Sequence, residues 1–587
     1  MKEMRQVSGQ FPLPLKKPPG GEGYDIYPSF NVGEGKIFAG FASLLDSIVK
    51  HRTVIIDGYT GIRWDLLKQQ ILNTLRDAGV TARCFNTREF LKQEQEIEEM
   101  TSPFSGGSDP LFATRCDLPL GSFFRMAELT ALRTDPDYDV NIIIGTGASL
   151  SGWQGLMIYA DLPKNEQQYR ARTGSITNLG LSRAGDAGTM YKRSYFIDWP
   201  VLNRHKRQIL PFADIVVDAQ RPDEPVWMEG KVLREALSEM SRNLFRVRPW
   251  FEPGPWGGTW IKDNISGLNR EVPNYAWSFE LISPENGLLL ESSSLLLEVS
   301  FDSLMYIGAK EVLGDCHERF GNEFPIRFDF LDTYNGGPLS VQCHPRPEYA
   351  RDHFGENFTQ EEAYYIVDTK DDAFVYLGFR NDIDPGGFVA ALKESAENNE
   401  PLDVDSYVHK QKADKHDLFL IPSGTIHGSG KNNMVLEISS TPYIFTFKMY
   451  DWLRLDLNGR PRNLNIDRAG ENLFFDRKGE YVSEHLKSKP VLLSEGEGWS
   501  QWHLPTHETH LYDVMRYSIM SSVDISTENK CLVMNLVGGH SVNVETRGGM
   551  QKKISYAETF VVTAAAGSVR ITNIANDEAI IVAAFVK

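Results

Sequence analysis

Apolar runs ending at polar or glycine positions alternate with amphipathic stretches through the first part of the chain. Thr53-Val-Ile-Ile-Asp57 stops at Gly58 and is followed by the amphipathic run from Trp64 to Ala78, a strand, glycine turn and helix by pattern. Val140-Asn-Ile-Ile-Ile144, Leu156-Met-Ile-Tyr-Ala160 and Ile215-Val-Val-Asp218 predict further buried strands between helical segments. Such alternation predicts a parallel sheet covered by helices. A helical pattern from Gly230 to Phe245 closes this part, and a boundary is expected near residue 230. Beyond it the helical pattern thins, and short strands rich in β-branched and aromatic residues recur between Gly and Pro turns, the texture of an antiparallel barrel or sandwich. Gly387 to Asn398 is the exception, with the spacing of a helix inserted between strands. From about Ser494 the strand pattern runs without helices to the last residue, through Cys531–Val537, Thr559–Thr563 and Ala579–Val586. Residues 11–28, dense in Pro and Gly, predict an extended arm.

A chain of 587 residues holds about four units at ~150 residues each. The pattern divides it into an arm (1–35), an α/β domain (36–228), a β domain with a helical insertion (229–485) and a smaller β domain (486–587). Lys and Arg number 61 against 79 Asp and Glu, a formal charge of −18. That balance argues against nucleic acid or an anionic membrane as partner, since both call for a net positive face. A local basic pocket for a small phosphorylated ligand stays compatible with it. The five cysteines are scattered without a C-x-x-C pair, so no disulfide framework is expected. The first ten residues lack the apolar core of a secretory signal, and no apolar run approaches a membrane span, so a cytoplasmic protein is expected.

Candidate chemistry concentrates after residue 339. In Leu339-Ser-Val-Gln-Cys-His-Pro345, Gln342 and His344 lie two apart and leave the same face of a strand. Glu362 follows in Gln-Glu-Glu-Ala-Tyr-Tyr, and Ile421-Pro-Ser-Gly-Thr-Ile-His427 adds a histidine after a strand and turn. Two imidazoles, a carboxylate and an amide oxygen on neighbouring strands suit a metal ion with an open position, zinc first. A lone Gln-x-His is more often an ordinary polar strand face.

Together these segments resemble class I mannose-6-phosphate isomerases, which are metal-dependent double cupins built of jelly-roll barrels. The resemblance runs from about Phe251 onward. It is carried by Pro255-Trp-Gly-Gly258, Phe324-Pro-Ile-Arg-Phe-Asp-Phe-Leu331, Leu339–Pro345, Glu362-Ala-Tyr-Tyr365, Ile421–His427, Leu436-Glu-Ile438 and Met449-Tyr-Asp-Trp452. It implies one zinc per chain on Gln342, His344, Glu362 and His427, and interconversion of mannose 6-phosphate and fructose 6-phosphate, or a related pair, through an enediol. Glu437 matches the acid of the family's Glu-Ile pair and is the candidate for proton handling; otherwise it is a strand glutamate satisfied by Arg or water. Lys448 and Arg454 flank the place of a catalytic or phosphate-facing Arg. Here Lys448 replaces Arg, and Gln360 stands where the family usually has Lys, so the substrate can differ. The rival reading is a regulator that binds sugar phosphate without turnover, its metal structural.

Other clusters rank lower. Tyr364 and Tyr365 read as barrel packing. His503, His507 and His510 have spacings compatible with a second metal but read more simply as a solvated loop and strand edge. In the α/β part, Asp57-Gly-Tyr-Thr-Gly-Ile-Arg-Trp-Asp-Leu66 has the context of a P-loop, yet Arg63, Trp64 and Asp65 replace Gly-Lys-Ser/Thr. With Ile142–Ala148, Tyr159–Pro163 and Ala213–Asp218, this part weakly resembles the nucleoside/uridine kinase group. A degenerate P-loop domain without catalysis is expected, with a nucleotide or anion as possible ligand and Arg170 and Arg172 as a phosphate-clamping remnant.

Overall fold

The computed structural model describes residues 10–19, 21–456 and 459–587. Seven strands form the α/β sheet in the order Ile37–Ala39, Val226–Glu229, Ile215–Asp218, Leu156–Asp161, Thr53–Gly58, Val140–Ile144, Ala82–Asn86. The last five of that order are mutually parallel, and the first two run antiparallel at one edge. Val140–Ile144 is buried at every position, as a strand covered on both faces must be. Helix Trp64–Asp77 lays Leu67, Ile71 and Leu75, four apart, against this layer.

Helix Gly230–Met240 stops five residues short of the expected end, because Leu244–Phe245 leaves as a strand that pairs with Val561–Val562 near the other end of the chain. Since the helix packs on strands Ile215–Asp218 and Val226–Glu229, the α/β layer extends past residue 228.

A six-stranded sheet (Trp250–Glu252, Trp277–Leu281, Arg327–Asp332, Asn433–Ser440, Glu361–Thr369, Leu418–Ile421) faces a five-stranded one (Val408–Lys412, Phe374–Phe379, His427–Ser429, Val341–Cys343, Phe447–Tyr450). Leu331, Ile366 and Val435 of the first meet Val375 and Leu377 of the second in a shared core. Helix Pro385–Asn398 is the expected insertion between two strands. A second pair of sheets, seven-stranded and four-stranded, is built from residues 491–586 with Leu244–Phe245 as one edge strand. All ladders in both pairs are antiparallel. No helix among the described residues is long and apolar enough to cross a membrane.

Residues 1–9 and 20 of the expected arm lie outside the described residues. The rest of it is docked on the body. Ser29–Asn31 runs parallel to Gly287–Ser292, and Leu13, Tyr24, Ile26 and Phe30 are buried. The arm also reaches the far end of the chain: the Asp25 amide donates to Glu558 Oε1 (2.6 Å), and Lys552 Nζ donates to the Ser29 carbonyl (3.0 Å).

Between the α/β layer and the barrels lies a buried charge network. Lys206 Nζ donates to Asp161 (3.0 Å) and to Asp302 Oδ1 (3.0 Å), and Lys164 Nζ donates to Asp302 Oδ2 (3.1 Å). Burial would raise the Asp302 carboxyl, but Lys164 and Lys206 hold it down at about 2. Removing that carboxylate strands the buried Lys164 ammonium and leaves Lys206 with Asp161 alone. Asp302→Ala is therefore expected to lower unfolding free energy by ~3–5 kcal/mol in urea titrations. The network's share of stability is present above the ordinary carboxylate range and is lost as pH falls toward 2. A variant indistinguishable from the parent would show the network to be neutral.

Candidate metal centre and its cavity

Two backbone features bring the metal-binding types together. Gln342 and His427 are direct register partners on adjacent strands, and His344 follows two residues on. Gly424, in the turn before His427, has φ +77° and lies so close to Asn472 that a Cβ would fall 2.6 Å from its carbonyl oxygen. Only glycine fits that turn, which returns the chain to His344 through the Gly424 amide and the His344 carbonyl (2.9 Å). Glu362 reaches the same point from the facing sheet.

Glu362 Oε2 lies 2.5 Å from His344 Nε2 and 3.1 Å from His427 Nε2, with all three side chains buried. Each imidazole has its other nitrogen on a backbone carbonyl, His344 Nδ1 on Phe445 (2.9 Å) and His427 Nδ1 on Thr425 (2.9 Å). With each Nδ1 taken by a carbonyl, both Nε2 atoms face the same carboxylate oxygen, a convergence of three potential ligand atoms that suits a cation. Glu362 Oε1 has no hydrogen-bond partner. The donor set thus fits a divalent ion, and this is the one such His/Cys/Asp/Glu group found among the described residues. Gln342 joins it through Nε2, 3.3 Å from His427 Nε2, while its Oε1 accepts from Ser340 (2.8 Å). Ligation by the amide oxygen requires the group to turn over, leaving Nε2 to face Ser340.

Beside the group is a cavity of about 240 Å³ bordered by Gln342, Gln360, Asp329, Glu437, Lys448 and Arg462, among others. Glu437 is the register partner of both Asp329 and Tyr364. Burial, then Asp329 and Glu362, push its carboxyl well above the usual range, and burial with Glu362 does the same to Asp329. Burial and the neighbouring Arg462 bring Lys448 down to about 8. Gln360 Oε1 is buried without a partner.

Arg454 does not stand among the residues bordering this cavity. The backbone turns left-handed at Trp452 (φ 57°) and Leu453 (φ 54°), and Arg454 folds back on Asp451 (2.5 Å). Arg462 borders the cavity and takes the other Asp451 oxygen (2.5 Å). Asp329 lies inside the segment Phe324–Leu331, where nothing sets it apart from its neighbours, and Arg462 carries no local signal in the sequence.

His507 and His510 have ring centroids 5.9 Å apart, but His503 does not join them. His503 pairs with Asp513 (2.8 Å), and His510 is fully buried, 3.9 Å from Glu361, rather than solvated. In the α/β layer, Arg170 spends its donors on Glu166 and on the carbonyls of Gly61, Ala219 and Gln220, and Arg172 pairs with Glu252 (2.8 Å). Both are structural in this conformation, not a phosphate clamp.

A family model described as a domain of unknown function (DUF8485) matches residues 40–242. The chain is 29% identical over 238 residues to "Probable mannose-6-phosphate isomerase GmuF" of Bacillus subtilis, covering 40% of this chain and 68% of that one. It is 27% identical over 293 residues to mannose-6-phosphate isomerase ManA of the same organism, covering 50% and 84%. Among solved structures, the mannose 6-phosphate isomerase from Bacillus subtilis matches at 19% identity and a TM-score of 0.47, covering 58% of this chain and 99% of that one.

Proposed function

We propose that this chain is a zinc-dependent aldose–ketose isomerase that interconverts mannose 6-phosphate and fructose 6-phosphate, or a closely related pair of sugar phosphates. The observation that carries the reading is the convergence of His344, Glu362, His427 and Gln342 beside a cavity that Glu437 and the cations Arg327, Lys448 and Arg462 also border. The names of the sequence relatives support the same reaction.

Gln342, His344, Glu362 and His427 would hold the ion. When bound, it supplies Lewis-acid stabilisation of charge developing on the sugar oxygens. Aldose–ketose exchange needs passage of the hydroxyl proton from O2 to O1, together with one proton taken from C2 and one delivered to C1. Glu437 is the carboxyl available for both, and the raised affinity for protons it shares with Asp329 suits a group that must hold a proton and return it. Lys448 and Arg462 hold the phosphate and so set the distance from phosphate to reacting carbons.

The direct test is conversion by zinc-loaded protein of a panel of aldose phosphates, followed as ketose phosphate and as exchange of the C2 proton with deuterated water. Zinc-dependent turnover of one member is the expected result. Binding without turnover or exchange would leave the regulator with a structural metal.

A charge-assisted contact to phosphate is worth ~1.5–3 kcal/mol, so Arg462→Ala is expected to lower kcat/KM by about 10- to 100-fold with zinc retained. Arg454→Ala should cost less, since Arg454 acts only through Asp451. Because Lys448 carries its charge below about 8, KM should rise as pH passes that value, and Lys448→Arg should flatten the rise. A pH-independent KM in the parent would remove Lys448 from the phosphate site.

A further inference from the structure

Side chains of the α/β unit stand on the wall of the metal-centre cavity. Leu111, Phe112 and Tyr191 border it opposite residues of the barrel, and all three fall in the segment matched by the domain of unknown function. Phe112 is buried (3% exposed) and Leu111 and Tyr191 are half-buried, and each turns part of its remaining surface to the cavity.

They are also held in place. Tyr191, on helix Ala187–Arg193, donates its hydroxyl to Glu285 Oε1 (2.7 Å), whose Oε2 accepts from Gln168 (2.8 Å). Its ring stacks on Tyr443 at 6.1 Å and 27°. Phe112 stacks on Phe445 (5.9 Å, 23°), and Phe445 stacks on Phe354 (4.8 Å, 17°). The carbonyl of that same Phe445 receives the His344 Nδ1 hydrogen bond. Ion pairs of Asp109 with Arg468 and of Arg115 with Glu356 clamp the surrounding surface.

We infer that the α/β unit is a specificity element of the isomerase site, in which Leu111, Phe112 and Tyr191 close the cavity around a monosaccharide phosphate. This rests on the isomerase reading above. The cavity, about 240 Å³, lies below the ~300–1,000 Å³ common for ligand pockets, a size that favours a monosaccharide phosphate over a larger ligand. Phe112 has a second, positioning role, since it steadies the carbonyl that orients His344.

The experiment uses the zinc-loaded full chain and three variants, Tyr191→Ala, Tyr191→Phe and Leu111→Trp. Zinc content, calorimetric binding of mannose 6-phosphate and of a reducing disaccharide phosphate, and turnover are measured on each. Tyr191→Ala should raise KM for mannose 6-phosphate about tenfold with kcat within about threefold, and should admit the disaccharide phosphate that the parent rejects. Tyr191→Phe, which keeps the ring, should restore the parent's preference. Leu111→Trp, filling the space, should lose sugar-phosphate binding while keeping zinc. Unchanged KM and ligand range in both Tyr191→Ala and Leu111→Trp, with zinc present, would overturn the inference. If the parent binds mannose 6-phosphate without isomerising it, the isomerase reading falls and the wall is still judged from the binding constants. If the parent binds neither sugar, both fall.

Discussion

His344→Ala and His427→Ala are each expected to lose most bound zinc and at least about 10³-fold in kcat/KM, because a Lewis acid contributes several kcal/mol and ~1.4 kcal/mol corresponds to tenfold. The two imidazoles are fixed through Nδ1 to the Phe445 and Thr425 carbonyls, so each variant removes a ligand atom that the backbone holds in place. With one removed, Glu362 keeps a single imidazole neighbour, too few strong donors for a closed site. Elemental analysis beside a turnover assay reads the result. His503→Ala, which removes a half-exposed histidine paired with Asp513, is the control and should leave both readings alone. Retained zinc in either ligand variant would dismantle the assignment.

Glu437→Gln is expected to lower kcat by about 10²- to 10⁴-fold with zinc content and sugar-phosphate binding preserved, the usual worth of a positioned acid–base group. The amide keeps the size of the carboxyl and its place between Asp329 and Tyr364 in the sheet but can no longer exchange a proton. Exchange of the C2 proton with deuterated water should fall in step with kcat. If kcat falls while exchange persists at the parent rate, the proton is moved by another group, and Asp329, its register partner, becomes the residue to change next.

What could be read from the sequence follows from how local each signal is. Strands such as Val140–Ile144 are buried on both faces, so their apolar runs are unbroken and visible. Helix Asp302–Leu313 gives no clear period because polar or small residues (Asp302, Ser303, Gly308) are buried beside Leu304 and Val312, while the apolar Ile307 is partly exposed. The glutamine and histidines of the metal group lie in short strand and turn motifs whose spacing survives in one dimension. Arg462 does not, since its place depends on a left-handed turn ten residues earlier and on sharing Asp451 with Arg454. Leu111, Phe112 and Tyr191 look like any core residues until two units meet. The glycine loop after Thr53–Gly58 was visible as a turn, whereas the fate of Arg170, spent on backbone carbonyls, was not.

The docking of residues 25–29 on residues 552–558 sets a schedule for biosynthesis. Asp25 and its partner Glu558 are 533 positions apart, and Ser29 and Lys552 are 523 apart. At ~5–20 residues per second, the segment made first waits roughly half a minute to two minutes for its binding surface to leave the ribosome. Its strand partner Gly287–Ser292 emerges about halfway through that interval, and until then it is nascent chain without a partner. Its wealth of proline and glycine, which costs it regular structure, also denies neighbouring nascent chains a strand edge on which to pair.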